Sequence, residues 1–164
     1  MMDVLEKESL LDKEIGKLLR KTGRSGANSG RGYVKFSEVL TDKMSMVFLI
    51  RNGIPYHVFE LIRESGPLTE NEWAAILDVS SKTLTRYKTE NRDFKTLLAE
   101  KIMEMAEVTQ LGLEVFGNLS RFSQWLHTPS FALGNLMPLE LLKDSYGKEL
   151  VTAELSHIHY GIFV

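Results

Sequence analysis

Six side chains between residues 81 and 92 carry the chemistry that stands out first: Ser81, Lys82, Thr85, Arg86, Lys88 and Arg92. Hydroxyls and fixed positive charges along the outer side of one short helix suit a polyanion. Such a helix enters the major groove of DNA by its N-terminal half. Lys82, Thr85 and Arg86 are then placed to meet base edges or phosphates, and Lys88 and Arg92 to hold the backbone. Glu90 and Asp93 dilute the cationic surface, so useful affinity calls for two or more copies on a repeated or palindromic site. A homodimer or higher oligomer is the expectation.

Other chemistries fit less well. The chain has no cysteine, and its four histidines are His57, His127, His157 and His159. The last two are two residues apart, so on a helix they diverge instead of sharing one ion. Neither a metal nor a cofactor is expected. Glu100, Glu104 and Glu107 recur at helical spacing and read as a solvated acidic face, not an acid–base pair. The glycines from Gly23 to Gly32 follow no strand and open no helix, which excludes a phosphate-binding loop. The expectation is a binding protein and not an enzyme.

The cationic helix needs a support, and the segment from Leu68 to Tyr87 reads as a helix-turn-helix. Thr69 is a cap, with Glu72 three residues on to complete a capping box. Trp73, Ile76 and Leu77 face inward, Val79 packs the turn, and Ser80 or Ser81 caps the second helix, whose Leu84 returns to the core. Asp78 occupies a position that favours a left-handed backbone, which Asp tolerates better than most residues. The competing reading is an ordinary helical hairpin with a solvated basic face.

Periodicity predicts further helices from Val4 to Leu19, Lys43 to Arg51, Pro55 to Glu64 and Phe94 to Phe116, with no convincing strand. The fold class is all-α. Thr22 to Gly32 is a Gly- and Ser-rich linker, and residues 13–35 hold seven basic side chains against one acid, Glu14. That segment serves either as an auxiliary phosphate-touching arm or as a solvated tether. The 94–116 helix has one apolar face at Leu98, Ile102, Met105, Leu113 and Phe116 and another at Val108, Leu111 and Val115. It is therefore central in its own domain, or shared with another subunit.

A net charge of −2 conceals an asymmetry, since residues 1–95 carry 16 basic and 14 acidic side chains and residues 96–164 carry 4 and 8. No apolar run approaches the roughly 20 residues of a membrane span. The N-terminus has acids where a secretory signal has bases, so a cytoplasmic location is expected.

Beyond Phe116 the sequence contains Val115-Phe116-Gly117, Trp125-Leu126 followed by Pro129, Ala132-Leu133-Gly134, Pro138-Leu139-Glu140-Leu141-Leu142 and Tyr160-Gly161. Most of these read as fold: core anchors, helix stops and turn glycines. The apolar ending Tyr160, Ile162, Phe163 and Val164, beyond a helix-ending glycine, is not explained by a plain core. This run closely resembles the toxin-binding domain of Xre-type antitoxins paired with RES-domain toxins, the group that includes the MbcA and ParS antitoxins. The resemblance covers residues 40–164, and all five motifs occur in the family's order.

The resemblance implies an antitoxin of a type II toxin–antitoxin system that binds operator DNA and a RES-domain, NAD-degrading toxin. It implies that Tyr160, Gly161, Ile162, Phe163 and Val164 form the toxin-binding plug, with the terminal carboxylate meeting a cationic group of the toxin's cleft. The same tail can instead fold back on its own domain or bury in a homodimer. The expected organisation is an N-terminal helix and linker over 1–39, a helix-turn-helix domain over 40–106 and a toxin-binding domain over 107–164. The alternative function is a transcriptional regulator whose C-terminal part only dimerises, with no toxin partner.

Overall fold

The backbone is helical nearly throughout, because capped amphipathic segments alternate with glycine, proline and left-handed stops. The computed structural model describes residues 2–23 and 34–162. Most of the glycine-rich segment, including Arg24 and Arg31, lies outside the described residues, as do Phe163 and Val164. Chain order is α1 (Val4–Lys21), α2 (Phe36–Val39), α3 (Lys43–Asn52), β1 (Ile54–Pro55), α4 (Tyr56–Glu64), α5 (Glu70–Leu77), α6 (Ser81–Thr89), β2 (Asp93–Phe94) and α7 (Thr96–Phe116). It continues with α8 (Leu119–Leu126), a 3-10 turn (Phe131–Leu133), α9 (Pro138–Leu141) and α10 (Ser145–His159). The fold class is all-α, with one two-stranded antiparallel pairing of β1 and β2 among the described residues.

The chain forms two compact units. The first comprises residues 1–65 and 82–106, the second 66–81 and 107–164, and α7 contributes to both. In the first unit α1 packs on α3 and α4, burying Leu11, Ile15 and Leu19, so the N-terminal helix is part of a core. Asp3 and Glu6 close a capping box at its start, an arrangement that contributes about 1 kcal/mol. Lys7 pairs with Glu64 at 3.0 Å, and Glu14 with Lys17 at 2.6 Å and His57 at 3.2 Å. The Lys17 ammonium, joined by His57, holds the Glu14 carboxyl below its usual value against the opposing effect of burial. Beyond the glycine-rich segment the backbone returns to α1, where the Phe36 N–H donates to Asp12 Oδ1 at 2.7 Å.

The β1–β2 pairing departs from the expected strandless chain, and it also starts α7 at Thr96 instead of Phe94. Two residues per strand leave no alternation to read. What permits the pairing is Gly53, at φ 91°, whose missing Cβ would lie 2.8 Å from the Phe94 carbonyl oxygen. Ile54 then sits opposite Phe94, and both are fully buried. The Phe94 ring lies 4.8 Å from Phe59 and 6.1 Å from Tyr56, an aromatic cluster whose members each contribute about 1.5–3 kcal/mol by burial.

In the second unit, Phe122, Leu126, Leu133, Leu142, Val151 and Leu155 make the core. Gly112 in α7 is covered by the Phe122 ring, and Phe116, Phe122 and Trp125 stack with centroids 5.6 to 6.3 Å apart. Trp125 itself is only half-buried, so Phe122 and Leu126 are the anchors of α8. Pro138 opens α9 and is buried, as the sequence suggests. Gly147 of α10 has no Cβ to collide with the Leu141 backbone, which lets α10 close on α9.

In α7, Ile102, Met105 and Val108 are buried, and Leu111, Leu113, Val115 and Phe116 are half-buried.

Candidate functional site

α5 is built as its sequence demands. The Thr69 side chain accepts from Glu72 N–H at 3.3 Å, and Glu72 Oε2 accepts from the Thr69 N–H at 2.7 Å. Trp73, Ile76 and Leu77 are buried. The helix ends at Asp78, whose φ of 54° and ψ of 45° are left-handed. Its N–H and that of Val79 donate to Ala75 and Ala74 carbonyls at 3.2 and 3.0 Å, satisfying the last turn.

α6 follows after three residues, Asp78, Val79 and Ser80. Its inward side chain Leu84 is fully buried, and Tyr87 stacks on Phe94 at 4.5 Å with the rings 11° apart. Asn91, at φ 48°, ends this helix with the same double bond pattern, Asn91 N–H to Lys88 and Arg92 N–H to Tyr87. All six residues expected to meet DNA are exposed: Ser81, Lys82, Thr85, Arg86, Lys88 and Arg92. At 3.6 residues per turn, Ser81, Lys82, Thr85 and Arg86 share the side opposite Leu84 and Tyr87. Lys88 lies nearer the buried edge.

Acids temper that charge. Glu90 Oε1 lies 3.7 Å from Arg86 and Glu90 Oε2 lies 3.6 Å from Arg92, whose guanidinium also sits 5.0 Å over the Tyr87 ring. Lys88 pairs with Glu60 at 3.4 Å. Among the described residues Lys82 is in no ion pair, which leaves its charge available to a ligand. The Ser81 hydroxyl donates to Asn71 Oδ1 at 3.3 Å.

Glu72 has a second role that sequence spacing did not signal, since its partner is 55 residues away. The other carboxylate oxygen meets His127 Nε2 at 2.5 Å, and His127 Nδ1 faces the Ser123 carbonyl at 2.7 Å. The Glu72 carboxylate and the Ser123 carbonyl hold the His127 pKa above its usual value. Burial opposes ionisation of Glu72, but the Thr69 N–H, His127 and the Thr69 hydroxyl together hold its pKa below the usual one.

At the far end of the chain, α10 terminates on Gly161 at φ 68°. Gly161 N–H donates to the Ile158 carbonyl at 3.2 Å and Ile162 N–H to the His157 carbonyl at 2.8 Å, a closed C-terminal cap. Of the five residues expected to plug a toxin, Tyr160, Gly161 and Ile162 are exposed, Tyr160 at 75% and Ile162 at 53%. Phe163 and Val164 lie outside the described residues.

Among the described residues no three His, Asp or Glu side chains converge as a metal site, and no helix is long and apolar enough to cross a membrane.

Residues 111–161 match the family described as the antitoxin Xre/MbcA/ParS C-terminal toxin-binding domain. A curated relative, Antitoxin Xre from Yersinia enterocolitica serotype O:8 / biotype 1B (strain NCTC 13174 / 8081), is 24% identical over 119 residues. The match covers 72% of this chain and 80% of that protein. Among solved structures, a chain of the M. tuberculosis MbcT–MbcA toxin–antitoxin complex superposes with a TM-score of 0.53 and 23% identity, covering 66% of this chain and 96% of that one.

Proposed function

We propose that this chain, an Xre/MbcA-type antitoxin and not an enzyme, neutralises a RES-domain, NAD-degrading toxin through its C-terminal segment and binds its own operator DNA through α6. The observation that carries the toxin half is the exposure of Tyr160 and Ile162 on either side of the Gly161 cap, on a domain whose family is described as toxin-binding. Exposed apolar side chains such as these gain by burial in another protein's cleft. Tyr160, Gly161, Ile162, Phe163 and Val164 are the plug.

The DNA half is supported by α6. Its outward face carries Ser81, Lys82, Thr85 and Arg86 with nothing apolar between them, while Leu84 and Tyr87 fix its other side. Lys88 and Arg92, already engaged by carboxylates, are backbone contacts. Two copies bind a palindromic operator, and toxin bound to the copies changes how many α6 helices engage at once. The DNA-binding function is assigned to residues within 40–106 and the toxin-binding function to residues within 107–164, a functional division that differs from the two compact units, since residues 66–81 pack with the second.

Deleting Tyr160–Val164 separates the two activities. Growth of cells expressing the toxin is expected to be lost with the truncated chain, while operator binding in a gel-shift titration stays at the full-length level. A truncated chain that still protects cells refutes the plug.

A further inference from the structure

The second unit exposes six large apolar side chains, Phe131, Leu136, Tyr146, Leu150, Tyr160 and Ile162, and four of them lie on α10 or at its C-terminal end. Tyr146, Leu150, Ala153, His157 and Tyr160 follow one another at spacings of four, three, four and three, which keeps them on one side of α10 over about 21 Å. Tyr146 is 82% exposed and Leu150 is 56% exposed. The opposite side of the same helix, Gly147, Val151 and Leu155, is buried in the unit's own core. α10 therefore has two apolar faces, of which the fold uses one.

The 3-10 turn that packs on α10 adds Phe131, the most exposed of these side chains at 87%. That turn is held in shape by the Ser130–Leu136 bridge, in which Ser130 N–H donates to Leu136 at 3.0 Å, and by left-handed Gly134 and Asn135. A rigid turn presenting an exposed phenyl ring is a poor arrangement for a surface that meets only water.

We infer that the outer side of α10, from Tyr146 to Tyr160, together with Phe131, is the principal surface on which the toxin docks. The inference rests on the toxin-binding reading above and names where the domain does it. The occupant is a protein groove that is apolar along its floor and cationic at its margins. Glu149 and Glu154 flank the stripe on its two sides; Glu154 lies 3.5 Å from His157 within the stripe, and Lys148 of the same helix is turned to Glu107 at 3.9 Å. A second copy of this chain laid along the stripe would bring like charges together, and the net charge of residues 96–164 is negative. A cationic toxin surface meets Glu149 and Glu154, and continuity of the stripe with Tyr160 and Ile162 lets one partner bury the helix face and its cap together.

The test uses the full chain co-expressed with a RES-domain toxin from the same genome, and reads affinity by titration of the purified proteins. Tyr146→Gln with Leu150→Gln is expected to weaken the complex by about 100-fold or more, as loss of a central apolar anchor pair does. Ala153→Arg, a single change at an exposed mid-helix position, is expected to do the same without removing any folded contact. Leu97→Gln, at a residue 73% exposed in the first unit, leaves affinity unchanged. Wild-type affinity in both stripe variants, with their melting curves intact, overturns the inference while the toxin-binding reading stands. Failure of the unaltered chain to bind the toxin overturns both. A chain that is dimeric alone and becomes monomeric in the stripe variants assigns the surface to self-association, and also overturns the inference.

Discussion

Gly147→Ala is expected to destabilise the second unit by about 2 kcal/mol, although alanine is the better helix former. Gly147 is buried near the start of α10, where its N–H donates to the Asp144 carboxylate at 2.8 Å. An added Cβ would collide with the Leu141 carbonyl oxygen and lie 2.7 Å from its carbon and 2.9 Å from its Cα. The obstruction is backbone, so no side chain can rotate away, and α9 and α10 must part. Overpacking of this kind costs about 3 kcal/mol, against which the helix propensity of alanine returns about 1 kcal/mol. For a unit of this size the net loss corresponds to a drop in Tm of about 8–16 °C. Both tryptophans, Trp73 and Trp125, belong to this unit, so tryptophan fluorescence during heating reports on it selectively. An unchanged or higher Tm would refute the close approach of α10 to α9 on which the exposed face of α10 depends.

Gly16→Ala should act in the opposite sense, raising stability by about 1 kcal/mol, since its Cβ would meet nothing closer than Arg20 Nη1 at 3.6 Å inside α1. A lower urea midpoint would contradict that. Glu90→Gln releases Arg86 and Arg92 together, so operator affinity in a fluorescence-anisotropy titration should rise about threefold to tenfold and its salt dependence steepen. Unchanged binding would mean that these arginines do not face DNA. The Glu72–His127 pair makes stability pH-dependent. Glu72, lowered from 4.5, contributes above that pH and loses its contribution as acid protonates it; His127, raised from 6.5, contributes fully below 6.5 and loses its contribution as pH rises through its elevated value. The contribution is greatest between about pH 4.5 and 6.5, and with the imidazole 41% exposed it is worth at most about 1 kcal/mol. His127→Gln should abolish the part of the decline above pH 6.5 that this pair causes; an unaltered pH profile of unfolding would refute the assignment.

Local features of the fold were legible where one short segment carries the whole cause. The Thr69–Glu72 capping box, the left-handed Asp78 and the inward Trp73, Ile76, Leu77 and Leu84 need no information beyond about twenty residues, and the structure contains each of them. Features that depend on distant partners were not legible. Ile54 meets Phe94 across 40 residues of sequence, and Glu72 meets His127 across 55. Nothing local distinguishes those residues from their neighbours. α10 shows a third situation, because the four-three-four-three spacing from Tyr146 to Tyr160 is visible in the sequence. Spacing alone cannot say which of two apolar faces the domain buries; that is decided by Gly147, whose missing side chain lets the Val151–Leu155 side turn inward. The candidate DNA contacts were legible as exposed positions. Glu90, four residues from Arg86, was legible with them as a diluting acid, whereas Glu60, the partner of Lys88, becomes evident only once α4 is placed.

We propose that this chain disarms an NAD-degrading RES-domain toxin. Cellular NAD, followed after induction of that toxin, measures it directly. Co-expression of the full chain is expected to hold NAD at the uninduced level, and the chain ending at His159 is expected to let it collapse. NAD that falls equally fast with the full chain present and stably expressed would contradict the account.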